Sequence, residues 1–183
     1  MTERMPADAR AVANLLLDRA EQRKMPVTNL ALQKLLYFAH GLSLVRHRRP
    51  LMTGHFVAWR LGPVHPTVYD AFKAAGAEPI RFRATRRDLR LKVEVPLAEP
   101  DDLEVHDCVD EVLTSLGRKS ASTLVQLSHA PGGPWDFVVN EGRTSERLGL
   151  RIPDTIIATR FHQKVTVGPE LDAGDRLEDT PPA

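Results

Sequence analysis

The strongest constraint in this sequence is a helical stretch that is apolar on nearly every side. After Met25-Pro26 breaks the preceding pattern, Thr28 offers a side-chain oxygen to the free donors of a new helix, which the pattern carries to about Val45. Leu32, Leu35, Leu36 and Ala39 make its main stripe, and Leu30, Tyr37, Phe38, Leu42 and Leu44 surround that stripe. A helix with one wet face shows a single apolar stripe, so this one is expected to lie at the centre of the fold. Gln33, Tyr37, His40 and Leu44 fall at i, i+4, i+7 and i+11, a partly polar line along it. That line either faces a partner or a small polar pocket, or forms an internal hydrogen-bond network.

Other elements arrange themselves around this centre. Val12, Leu15, Leu16 and Ala20 predict an amphipathic helix from Asp8 to about Glu21. His55 to Trp59 reads as extended, Gly62-Pro63 as a turn, and Pro66 or Thr67 as the start of a short helix that ends by Gly76. Leu89, Leu91, Val93 and Val95 alternate with Arg90, Lys92 and Glu94, the period of a strand with one buried face. Ile80 and Phe82 are its expected hairpin partner. Val105, Cys108, Val109, Val112, Leu113 and Leu116 make the apolar face of a helix with acids at its start and Gly117 at its stop. Ser120 caps a helix to His129, Pro131 to Pro134 form a rigid turn before a short apolar piece around Trp135, and a last helix is expected after Pro153 with Asp154 as cap. The fold class is therefore α+β and predominantly α-helical, a compact helical domain with a small antiparallel β element.

Length and charge limit what such a domain can do. The 183 residues fit one domain, residues 1–167, followed by an acidic tail, 168–183, that composition marks as disordered. A formal charge of +1 gives the whole chain no pull toward nucleic acid or an anionic membrane. Locally, six basic side chains against one Asp lie between Arg81 and Lys92, so an anion-binding or solvated hairpin face is expected there. With Cys108 as the single cysteine no internal disulfide can form, which suits the cytoplasm. No stretch approaches the ~20 apolar residues of a membrane helix, and the polar N-terminus is unlike a secretion signal.

Catalytic patterns are missing from the sequence. There is no phosphate-binding glycine loop, Ser-centred elbow or paired-carboxylate motif, and Cys108 falls on an apolar helix face as a core thiol. The seven histidines include no pair at i+3 or i+4, so neither a metal nor a cofactor is called for. The two consecutive helices before His129 could pass for a helix-turn-helix, but the Trp135 segment that follows is too apolar for a recognition helix.

Three segments carry a resemblance. Leu32 to Gly41 (LQKLLYFAHG), Ala58 to Tyr69 (AWRLGPVHPTVY), and Leu127-Ser128-His129 with Pro134-Trp135, in this order, resemble the SocA-like antitoxin (Panacea) family. The resemblance spans roughly Ala9 to His162. His65 stands where the family often has an apolar residue, and Pro131-Gly132-Gly133 lengthens the spacing between His129 and Trp135. The resemblance implies an antitoxin rather than an enzyme, neutralising a toxin protein encoded by an adjacent gene through direct binding. It also implies, as alternatives, a regulator of a mobile element that binds nucleic acid, or an adaptor handing the toxin to a cellular protease, as the family's founding member does. Partner-binding residues expected on this basis are Gln33, Tyr37, His40, Trp59, Gly62, Pro63, His65, Tyr69, His129 and Trp135, with Arg86 and Arg87 from the basic run. The oligomeric state is not fixed by the sequence.

Overall fold

The computed structural model describes residues 5–141 and 149–161; the acidic segment 168–183 lies outside them. Helix α1 (Ala9–Gln22) starts where the Asp8 carboxylate accepts from the Arg10 amide at 2.8 Å. Helix α2 (Asn29–Arg46) starts at Thr28, whose hydroxyl accepts from the Ala31 amide at 3.2 Å. Fifteen of the eighteen α2 residues are buried, Asn29 to Leu44 with the sole exception of Ala31, so the all-round apolar pattern does place it at the centre.

Strands β1 (Phe56–Trp59) and β2 (Gly62–Val64) pair antiparallel, with Trp59 opposite Gly62. The expected turn at Gly62-Pro63 is therefore strand, and the chain reverses at Arg60-Leu61. Gly62 takes φ +101°, and Pro63 is tolerated because β2 is an edge strand with no further ladder to feed. Helix α3 (Pro66–Phe72) continues into one 3-10 turn, Lys73–Ala75, and stops at Gly76.

The next region departs from expectation. Ile80 is buried against the second helix's entry, its amide donating to Val27 O at 2.9 Å, and so is unavailable as a hairpin partner. The hairpin is instead β3 (Thr85–Asp88) with β4 (Val93–Pro96), and no other strand joins it among the described residues. The strand expected from Leu89 begins only at Val93: residues 89–92 form the turn between β3 and β4, so Leu89 and Leu91 stand in that turn and, like Val93, are exposed.

Helix α4 (Leu103–Leu116) buries the expected Val105, Cys108, Val109, Val112 and Leu113 against α1 and α2, with Asp102 as its cap. Its polar sides are tied down by arginines from both neighbours: Arg23 to Asp110 at 2.5 Å, Arg46 to Glu111, and Arg49 to Asp102 at 2.6 Å and to Glu104. The exposed pairs, such as Arg46 with Glu111, contribute ~0–1 kcal/mol each, so they fix the helix's rotation more than its stability. Helix α5 (Ala121–Ser128) is capped by Ser120. The piece around Trp135 is a helix, α6 (Pro134–Glu141), opened by a proline in its first turn, where a missing N–H costs nothing. Strand β5 (Arg151–Ile152) adds to β1, giving the order β2-β1-β5. Helix α7 (Asp154–Arg160) is preceded by Pro153 as cap, so Asp154 is its first residue and its carboxylate is free for another use. The fold is α+β and predominantly helical, with small antiparallel sheets.

Candidate functional site

The polar line on α2 closes onto β2. Gln33 Oε1 accepts from the His65 amide at 2.9 Å, and its Nε2 donates to Asn29 Oδ1 at 3.0 Å. Lys34, fully buried, donates from Nζ to Pro63 O at 3.0 Å. A buried ammonium needs such acceptors, since its desolvation costs several kcal/mol. Gly62 is where α2, β2 and α5 meet: a Cβ there would sit 2.4 Å from Ser128 Oγ and 3.1 Å from Lys34 Cε. Thus α2 and β2, from the first two segments, and α5, from the third, interlock through backbone carbonyls and one glycine.

The third segment forms a corner against the first sheet. Trp135 Nε1 donates to Trp59 O at 2.8 Å, and its ring stacks on His129 with centroids 3.8 Å apart. Burial and the charge of Lys34 push the His129 imidazole down to about 4, so it is neutral at physiological pH. The ring is held here by stacking, and its buried Nε2 has no hydrogen-bond partner among the described residues. Trp59 in turn meets Tyr69 edge-on at 4.7 Å.

Two further histidines flank Phe56. His65 Nε2 bonds Thr53 O at 2.9 Å, which assigns the proton to that nitrogen, and burial lowers its pKa. His40 Nε2 lies 3.1 Å from Asp154 Oδ1, and this hydrogen bond holds the carboxylate below its ordinary range. Asp154 was legible only as a helix cap; its role is to pin α7 to α2. Tyr37 is buried among Phe38, Phe56 and Phe161, its hydroxyl without a hydrogen-bond partner among the described residues and its pKa pushed far up by desolvation.

Arg86 and Arg87 lie elsewhere, exposed on β3. They are opposite Val95 and Glu94, so successive positions point them to opposite faces rather than one. The root of their hairpin is fastened to α1: Asn14 Nδ2 donates to Ala84 O and Asn14 Oδ1 accepts from Ala84 N, both at 2.8 Å. Arg83, one of the six basic side chains of this run, is engaged with Asp18 at 2.7 Å and Glu21 at 2.6 Å.

Residues 32–136, which hold all three motif segments up to Asp136, match the model of the family described as antitoxin SocA-like, Panacea domain. The chain belongs to this family. It is also 51% identical over 177 residues to Antitoxin SocA of Caulobacter vibrioides (strain NA1000 / CB15N), an alignment covering 96% of this chain and 94% of that protein. No solved structure matches the chain. In this Panacea domain, Gln33, Tyr37, His40, Trp59, Gly62, Pro63 and His65 are all buried, while Tyr69, His129 and Trp135 are half-buried at the corner. The expected site residues thus divide into one sealed seam, one partly open corner and a separate hairpin.

Lys34 and Asn29 belong to the seam and were not singled out from the sequence, although a lysine amid leucines on a central helix was the available signal. Cys108 is buried and its thiol is pushed up to about 11, chiefly by desolvation. Among the described residues no cluster of His, Cys, Asp and Glu could hold a metal ion, and no helix is long and apolar enough to cross a membrane.

Proposed function

We propose that this Panacea domain is an antitoxin that neutralises a toxin protein encoded beside it, by binding that protein directly. The observation that carries the reading is the 51% identity to Antitoxin SocA along nearly the whole of both chains. The geometry is in keeping with a binding protein. The sealed seam spends its hydrogen bonds internally and fixes the shape. Groups a partner can reach without unfolding anything are Tyr69, Trp135 and the exposed cations Arg86 and Arg87. The buried members of the expected site hold the Tyr69–Trp135 corner in place, through the bond of Trp135 to Trp59 O.

Co-expression with each flanking gene tests the proposal. One neighbour should arrest growth alone, lose toxicity with this protein, and co-purify with it. The family resemblance carries a second outcome, transfer of the bound toxin to a cellular protease. In that case toxin abundance falls when the two are co-expressed, whereas under simple blocking it persists. If no neighbour is toxic, or none binds, the antitoxin reading is wrong.

A further inference from the structure

The β3–β4 hairpin holds apolar side chains in water. Leu89 is 83% exposed, Leu91 69% and Val93 49%. Arg86, Arg87, Arg90 and Lys92 stand exposed among them. Lone apolar residues on a surface need no explanation, but three together on one projecting loop do. Nor is the loop slack. Asp88 Oδ1 accepts from the amides of Arg90 at 2.8 Å and Leu91 at 3.0 Å, while the Asn14–Ala84 clasp fastens the root. A two-stranded hairpin is marginal in water by itself, so this one is held in shape by contacts at both ends. At its foot lies a groove of about 700 Å³ where Met5, 85% exposed, and Leu97 meet Arg86 but also the acids Asp8, Glu99, Asp101 and Asp102, so the apolar patch is the hairpin itself and not the groove below it.

We propose that this hairpin is the surface that docks the toxin, meeting on it an apolar patch rimmed by Asp and Glu side chains. The proposal rests on the antitoxin reading above. Leu89, Leu91 and Val93 supply the dry centre, and the four cations around them steer an acidic rim into place. A pre-shaped loop loses little freedom on binding. A second copy of the chain is disfavoured as occupant, because it would bring the same cations face to face. Nucleic acid would use the cations and could accept a leucine wedge between bases. However, Asp88 and Glu94 interrupt the cations, which leaves no continuous basic stripe for a phosphate backbone to follow, whereas a rim of separate carboxylates needs none.

The test uses the full chain and the toxin identified by the rescue assay, with binding kinetics across a salt series. Leu89→Ser/Leu91→Ser should weaken toxin binding by about 100-fold, chiefly through faster dissociation, as expected when central apolar anchors are lost. Melting should be unchanged, since both side chains are solvated. Arg86→Glu/Arg87→Glu should slow association about 10-fold at low salt, with the difference shrinking as salt rises. If both variants bind the toxin like wild type while wild type still rescues growth, the docking surface lies elsewhere and the antitoxin reading stands. A wild-type chain that binds no neighbouring gene product overturns both. Duplex DNA and phosphatidylserine vesicles are the control arms. Leucine-dependent, tight binding to either, or a leucine-dependent dimer in sedimentation, overturns the proposal in favour of that occupant.

Discussion

Gly62→Ala should damage this protein out of proportion to the single methyl added. Two costs fall on one residue. The backbone φ of +101° is one that residues with a Cβ rarely adopt, which costs ~1–3 kcal/mol. The new Cβ would also stand 2.4 Å from Ser128 Oγ and 3.1 Å from Lys34 Cε, and neither can retreat freely. Ser128 is held by a 2.8 Å bond to Val125 O, and Lys34 by its bond to Pro63 O. Overpacking of this kind costs ~1–3 kcal/mol. Together they amount to ~2–6 kcal/mol, a large part of the ~5–15 kcal/mol that holds a typical domain folded. Urea unfolding followed by circular dichroism measures it, and the double variant separates the two costs. Ser128→Ala alone should cost ~1 kcal/mol, but on the Gly62→Ala background it should be neutral or stabilising, because it removes the crowded oxygen. The reasoning is refuted if Gly62→Ala lies within ~1 kcal/mol of wild type, or if the two substitutions are additive.

Cys108→Ser should lower stability by ~1–3 kcal/mol by burying a hydroxyl where a thiol packed, and urea unfolding will show it. The native thiol, buried and titrating at about 11, should resist a disulfide reagent at pH 8 until the chain is unfolded. The pH profile carries a third expectation. His129 titrates at about 4 when folded against 6.5 for an ordinary imidazole, so the stability it contributes is complete above pH 6.5 and is lost as pH falls toward 4, where the unfolded chain takes up the proton first. His129→Gln should flatten that part of a plot of melting temperature against pH, leaving the smaller contribution of His65, whose pKa is lowered in the same direction.

What was legible in the sequence depended on whether a local pattern had one physical solution. Helices α1, α2, α4 and α5 were readable because periodicity and capping residues agreed, as Thr28 and Ser120 show. The hairpin was misread because a period of two does not say where the chain reverses: the reversal falls at residues 89–92, inside the alternating run, so Leu89 and Leu91 stand in the turn rather than on a strand face. Gly62-Pro63 carries the composition of a turn, but the same positive φ and missing N–H also suit an edge strand beside a two-residue reversal. Asp154 had two possible uses, cap or partner of His40, and only the approach of α7 to α2 selects between them. The seam was half visible: Gln33, Tyr37 and His40 were seen as a line, whereas Lys34 reaches Pro63 across 29 positions of sequence, a separation no local pattern encodes.

The interlock around Gly62 bears on how kinship should be read for such chains. The segments that mark this chain as a Panacea domain are mostly the ones shut inside it, bound to each other by Lys34, Gln33 and the indole of Trp135. Likeness in those segments therefore certifies a chassis and is silent about cargo. Evolution, or a protein engineer, could rewrite the ten exposed positions of the hairpin without disturbing a single bond of the seam, and two chains alike in every signature residue need not present the same surface.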